Sequence, residues 1–262
     1  MSDPRAFYDD LAEDYERIYA DWDASVRGQG ALIERWLREG DDAARADAPL
    51  RVLDVACGMG TQAIGLALRG HAVIARDLSP KLVERAREAA ARLGASLDLG
   101  TADMREPAPG TGFDAVIALD NALPHLDTDD DLQRALRAAR DALRPGGRYL
   151  ASIRDYDRLA DERPTLEPPR VLGEGASRRI VLQHWEWDAD GAGYDLDLLI
   201  VARDETGAWS LRARRGRYRA LRRAALEGAA ERAGLVEPRW IEPEESGFYQ
   251  PLFGAHRPPS GD

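Results

Sequence analysis

The chain has 262 residues, 44% hydrophobic and 32% charged, and its 36 Lys and Arg against 47 Asp and Glu leave a formal net charge of −11. That composition is globular rather than disordered, and the negative excess opposes a phosphate backbone, so no nucleic acid partner is expected. A single cysteine, Cys57, excludes an internal disulfide framework and a multi-thiolate zinc cluster, and no metal is expected.

Met1-Ser2-Asp3-Pro4-Arg5 lacks the basic start and apolar stretch of a secretory leader, and no run nears the ~20 apolar residues of a membrane span. The expectation is a cytoplasmic protein with no membrane partner. Residues 5–19 and 27–38 read as helices, with Phe7, Leu11, Tyr15 and Ile18 on one face, and residues 1–45 are expected to form a helical lid on one domain spanning 1–262.

From 52 to 153 short apolar runs alternate with helical periodicity, the pattern of a parallel sheet covered by helices. Strands are predicted at 52–56, 72–75, 96–99, 113–119 and 149–153, and helices at 61–68, 79–93 and 128–143, within a cofactor-binding core at 51–154. Ser79-Pro80 is the clearest helix start, a capping hydroxyl followed by proline at the first helical position. Residues 163–175 read as a Pro/Gly-rich loop. Strands at 180–187, 194–202 and 208–218, with turns at Asp190-Gly191 and Thr206-Gly207, then predict an antiparallel meander within an insertion at 176–218. A helix at 220–232 and strands at 236–241, weakened by Pro238, and 247–253 complete a C-terminal segment at 219–256.

The stretch VLDVACGMG, Val52 to Gly60, is an apolar strand with an acidic residue, then glycines opening a helix. Glycine lets backbone approach a ligand, and the helix behind it aims N–H groups at an anion. The glycines also fit the G-x-G-x-x-G/A fingerprint, so a nicotinamide oxidoreductase is an alternative. Asp54 favours a different cofactor: a carboxylate beside the loop repels pyrophosphate and welcomes an ammonium or sulfonium, as in S-adenosyl-L-methionine. Asp77, at the end of the second strand, is placed to accept from both ribose hydroxyls of either cofactor. Asp103 and Met104 are placed to offer a carboxylate and a thioether to an adenine, although by itself an exposed loop aspartate is the commoner reading. Cys57 reads as a small packing residue.

With ARDLSP, the Ala102–Met104 stretch ADM and LRPGG at Leu143–Gly147, these residues resemble the class I S-adenosylmethionine-dependent methyltransferases over about Arg51 to Ile153. The resemblance implies a Rossmann-like α/β fold, a seven-stranded sheet with the last strand antiparallel, and cofactor contacts at Asp54, Gly58, Gly60, Asp77, Leu78, Asp103 and Met104. Through DVACG, DNALPHL at Asp120–Leu126 and Arg154-Asp155-Tyr156-Asp157, the chain is similar more narrowly to the glycine and sarcosine N-methyltransferases. That similarity implies Asn121 near the reacting centre, Arg154 on the substrate carboxylate, Tyr218 as an active-site tyrosine, Asp120 at the cofactor, and lid roles for Tyr15, Trp22 and Arg27. The family often has glycine at the Asp120 position, and the Arg- and Trp-rich meander finds no match in it.

Transfer from a sulfonium is an in-line displacement needing alignment and exclusion of water, with no covalent nucleophile. A guanidinium at Arg154, beyond the fifth strand, suits a carboxylate, although a surface pair with Asp155 or Asp157 is the plainer alternative. His125 or Asp120 is placed to take a proton from an amine, proximity alone being the alternative, and a loop histidine is commonly structural. Tyr15 and Tyr218 either orient the amine or pack between lid and sheet. Trp185 and Trp187 read as buried sheet surface, and the arginines at 212, 214, 215, 217, 219, 222 and 223 as a solvated face. The expected activity is methyl transfer to a small-molecule amine or amino acid. An O-methyltransferase or other natural-product methyltransferase is the alternative, and a homo-oligomer remains open.

Overall fold

The computed structural model describes residues 3–39, 48–203 and 206–260. Met1, Ser2 and the end of the expected lid at 40–45 lie outside the described residues. The core strands are β1 (Arg51–Asp54), β2 (Ala72–Asp77), β3 (Asp98–Thr101), β4 (Phe113–Ala118) and β5 (Leu143–Ser152). With two late strands, β10 (Val236–Ile241) and β11 (Leu252–His256), they form a seven-stranded sheet in the order β10-β11-β5-β4-β1-β2-β3. β11 runs antiparallel to both of its neighbours, and the pairs among β1 to β5 are parallel. An antiparallel strand wedged between β5 and β10 departs from the 3-2-1-4-5-6 order of the dinucleotide fold.

Local chemistry sets the helices of this core. α3 (Thr61–Leu68) opens at Gly60, whose φ of 88° is left-handed and whose Cβ would sit 2.9 Å from Ile64. α4 (Pro80–Leu93) starts as expected: the Ser79 hydroxyl accepts from the Leu82 N–H, Pro80 follows, and Gly94 ends the helix at φ 75°. α5 (Asp129–Ala142) is capped by Thr128 and carries three aspartates in its first turn, where they favour the helix dipole.

The N-terminal helices differ from expectation. The predicted helix at 5–19 is split into α1 (Pro4–Leu11) and a 3-10 turn at Tyr15–Ile18. Between them the buried Asp14 takes hydrogen bonds from Arg212 at 2.6 Å and Arg214 at 3.3 Å, charges supplied from far along the chain. α2 (Trp22–Leu37) begins earlier than predicted, because the Asp21 side chain caps the Ala24 N–H. One of its two glycines serves packing: a Cβ on Gly30 would lie 2.5 Å from Gly65 of α3, so the two helices cross in backbone contact.

The second sheet has order β6-β7-β8-β9, antiparallel throughout. β7 (Arg179–Trp187), β8 (Gly193–Arg203) and β9 (Trp209–Arg219) are the expected meander, and β6 (Arg170–Leu172) adds a strand from the segment read as loop. α6 (Tyr156–Glu162) was not anticipated; Asp155 caps it. α7 (Arg223–Arg232) follows, and the weak strand at 236–241 forms as the sheet edge with a register shift around Pro238. The final strand starts five residues late, because α8 (Pro243–Ser246) and Gly247 at φ 75° turn residues 247–251 into a loop.

The arginine-rich run is a set of ion pairs. Arg212 and Arg214 hold Asp14, Arg215 pairs with Glu186, Asp195 and Asp197, Arg217 with Asp188, Arg219 with Asp129, Arg222 with Asp161 and Arg223 with Glu242. These pairs tie β9 to β7, β8, α5 and the turn after α1, and the start of α7 to α6, rather than presenting a free basic face. No described helix is long and apolar enough to cross a membrane.

Candidate active site

Two adjoining cavities open above the carboxyl ends of β1, β2, β4 and β5, where open α/β sheets place ligands. The first, ≈ 290 Å³, runs from the glycine loop past Asp77 and Leu78 to Asp103 and Met104. The second, ≈ 830 Å³, lies between α1, the 3-10 turn, the meander and the 249–251 loop. Tyr8, Tyr15 and Asp120 line both.

In the first cavity Asp77 closes the loop. Its Oδ2 accepts from the Gly58 N–H at 2.7 Å and its Oδ1 from the Ser79 N–H at 2.8 Å, which leaves lone pairs on both oxygens for ligand hydroxyls. Burial pushes its carboxyl up to about 6 against those two backbone donors. Gly58 adopts φ 53°, and a Cβ there would meet the Tyr15 hydroxyl at 3.3 Å, so the lid closes directly over the loop. Cys57 is buried beside it, as expected.

Asp103 and Met104 line the far end, but Arg105 grips the Asp103 carboxylate and bridges it to Asp131. Burial opposes the Asp103 charge, and Arg105 outweighs it, so the carboxyl lies below its usual range. Asp54 and Gly60 sit one layer below the cavity surface. Asp54 is 1% exposed, accepts from the Ala56 N–H at 3.2 Å, and is pushed well up by burial.

The structure does not bring Trp22 or Arg27, expected in the lid, to the lining of either cavity. Trp22 is buried behind the loop with Nε1 donating to Thr61 at 3.1 Å, and it supports α3 rather than touching the cavity. Arg27 is exposed on α2, away from both cavities. Asp21 caps the helix through the Ala24 N–H three positions on, and in the register that follows Val26 and Gly30 are buried while Arg27 is exposed.

The second cavity centres on Arg154. Its Nη1 donates to the Tyr194 hydroxyl at 3.2 Å and its Nη2 to Gln183 Oε1 at 2.8 Å, while its guanidinium lies 4.6 Å over the Trp185 ring. Neither Asp155 nor Asp157 pairs with it; both face Arg222 or Arg223 instead, which removes the surface-pair alternative. Asn121, 3% exposed, accepts from the Arg154 N–H and exchanges hydrogen bonds with the Tyr156 hydroxyl, so it fixes the strand end that carries the guanidinium. Tyr218 stacks on Tyr194 at 5.4 Å with rings 9° apart, and Trp185 stacks on the other side at 4.6 Å. Trp185, 1% exposed, is core behind the cavity, as expected.

His125 is fully engaged. Its Nε2 meets the Tyr8 hydroxyl at 2.8 Å and its Nδ1 the Arg217 carbonyl at 3.2 Å, which assigns a neutral ring protonated at Nδ1. Burial pushes it down to about 4. It positions Tyr8 and has no free lone pair for an acceptor proton. Tyr8, Tyr19, Tyr249, Gln62, Gln183, Tyr156 and Tyr194 were not anticipated. Only the opposed Trp187, Tyr194 and Tyr218 across the hairpins offered a signal.

Residues 52–147 match the family model described as a methyltransferase domain. The chain is 33% identical over 158 residues to the glycine/sarcosine N-methyltransferase of Parasynechococcus marenigrum (strain WH8102), covering 59% of this chain and 53% of that protein. It is 28% identical over 199 residues to the glycine/sarcosine N-methyltransferase of Halorhodospira halochloris, covering 71% and 70%. The chain thus spans about half the length of the first relative. Among solved structures, the S-adenosylmethionine-bound amino pentose methyltransferase of Micromonospora echinaspora superposes with a TM-score of 0.68 at 26% identity over 88% of this chain and 91% of that one.

Proposed function

From the premise that this chain belongs to the class I S-adenosylmethionine-dependent methyltransferases, we propose that it moves a methyl group onto the amine of an amino acid or a related carboxylate-bearing small molecule. One observation carries the choice of acceptor. Arg154 presents a guanidinium to a large cavity with only neutral side-chain partners and no carboxylate at ion-pair distance among the described residues. Glu167, on the same cavity, acts on Arg154 only from beyond ion-pair distance, so a ligand carboxylate would supply a closer counter-charge. Two of its five N–H groups are taken, and the rest suit a carboxylate.

The first cavity fits the cofactor: Asp77 offers lone pairs for ribose hydroxyls, Leu78 and Met104 flank an apolar ring slot, and Gly58 allows close backbone approach. S-adenosylmethionine supplies an electrophilic methyl on sulfur when bound. The chain's own residues align and enclose the reactants. Tyr8 and Tyr15 stand at the junction of the cavities, Asp9 ties α1 to Ser79 at 2.6 Å, and Asn121 holds Arg154 in place.

The ≈ 830 Å³ cavity has room for an acceptor much larger than glycine. Incubation of the protein and S-adenosylmethionine with amino acids, hydroxy acids and carboxylate-free amines, with mass detection of +14 products, tests the proposal. Products are expected from amino acids, and Arg154→Ala should lower their formation by a factor of ~100, the scale of a charge-assisted bidentate contact. Undiminished turnover of an amino acid by Arg154→Ala would falsify carboxylate recognition.

A further inference from the structure

Asp120 stands where β4 ends, at φ 55°, and Asn121 follows at φ 65°. Left-handed backbone is costly for residues other than glycine, and two in succession persist only where the surroundings enforce them. The Asn121 side chain is locked by Arg154 and Tyr156. The Asp120 carboxylate is held as firmly: Oδ2 accepts from Gln62 Nε2 at 2.9 Å and Oδ1 from the Tyr249 hydroxyl at 2.8 Å.

Both donors are neutral, and no cation pairs with this carboxylate among the described residues. Burial accordingly raises its carboxyl above the usual value. Its bracket belongs to the second cavity. Tyr249 lines that cavity alone, and Gln62 is hydrogen-bonded at 2.6 Å to Gln29, which also lines it alone. Tyr15 and Tyr19 stand around the same space, and their ring faces favour a cation as well.

We propose that Asp120 is the ammonium-binding residue of the acceptor site, which makes the enzyme select an amine over a hydroxyl at the methyl-accepting position. A hydroxyl placed there would add a third neutral donor and leave the carboxylate charge uncompensated, whereas an ammonium neutralises it. With Arg154, Asp120 gives the cavity a charge of each sign held by neutral partners, for an acceptor with both, while Asp155, Arg158, Glu167, Arg170, Glu242 and Glu244 also line it. This rests on the second cavity being the acceptor site, as proposed above.

The test is calorimetric titration of the protein loaded with S-adenosylhomocysteine, using two matched pairs: phenylalanine against 3-phenyllactate and glycine against glycolate. Wild type is expected to bind the better amino acid at least tenfold more tightly than its hydroxy acid. Asp120→Asn, which removes the charge, and Asp120→Gly, which also relieves the left-handed backbone, should bring that ratio near one. The hydroxy-acid and S-adenosylhomocysteine affinities should stay within twofold.

No preference in wild type, or a preference kept in both variants, overturns the assignment. A tenfold loss of S-adenosylhomocysteine affinity in the variants overturns it too, because it places the carboxylate on the cofactor. Arg154→Ala separates the two proposals: it should weaken both members of a pair alike. If it changes neither, or if none of the four acids binds wild type, the acceptor-site proposal fails and takes Asp120's role with it.

Discussion

Replacing Asp77 by Asn separates the ligand role of this carboxylate from its cost to the fold. The carboxyl is raised from an ordinary 3.8 to about 6 by burial, a shift of about two units, worth on the order of 3 kcal/mol. Because the folded value exceeds the unfolded one, the stability this group lends is complete below pH ~4 and is lost as pH rises through 6. Wild type minus Asp77→Asn should therefore shift by about 2 kcal/mol in unfolding free energy between pH 4.5 and 7.5, with wild type relatively better at the acid end. Ligand affinity should move the opposite way. If the ionised carboxylate holds both ribose hydroxyls, wild-type affinity for S-adenosylhomocysteine falls about tenfold per pH unit below 6. Asp77→Asn should lose ~3 kcal/mol of binding at pH 7.5, a factor of ~100, and show a flatter pH profile. Denaturant unfolding and calorimetry at matched pH values measure the two effects. A variant that keeps wild-type affinity and wild-type pH slope refutes the assignment of Asp77 to the ribose.

Other perturbations have distinct signatures. Arg27→Ala should leave S-adenosylhomocysteine affinity unchanged within twofold, because its side chain is exposed on α2 away from both cavities; a tenfold loss would restore the lid role. Gly30→Ala places a Cβ 2.5 Å from the Gly65 backbone, so thermal or denaturant unfolding should show a loss of ~1–3 kcal/mol or more. Gly58→Ala combines a left-handed φ of 53° with crowding against Tyr15; a cost of ~1–2 kcal/mol in stability and weaker cofactor binding are expected. For His125, burial lowers the folded value from 6.5 to about 4, so its contribution is complete above pH 6.5 and is lost as pH falls through 4. His125→Gln should remove up to about 3 kcal/mol of that acid sensitivity in a comparison of unfolding free energies at pH 7 and pH 4.

The parts of the fold that local chemistry dictates were legible in the sequence. Ser79-Pro80 starts α4 and Thr128 caps α5, because a capping side chain and its partner lie three residues apart. The glycine loop was equally plain, since Gly58 and Gly60 occupy left-handed backbone. What escaped depends on distant partners. The break after α1 is set by Asp14 meeting arginines about 200 positions away, and Tyr249 enters the site only because α8 delays the last strand. Arg154 was found through motif similarity, yet its neutral surroundings were not visible, because Gln183 and Tyr194 reach it from the meander. Trp22 and Arg27 lie outside both cavity linings for a related reason: helix register, not composition, decides which side chain faces the cavity.

A crystal structure of the protein with S-adenosylhomocysteine tests most directly where the cofactor sits. The ribose hydroxyls are expected on the Asp77 carboxylate, the adenine beside Leu78 and Met104, and the sulfur at the junction formed by Tyr8, Tyr15 and Asp120, facing the cavity of Arg154. A ligand seated elsewhere, or one whose sulfur points away from that junction, would contradict the assignment of both cavities.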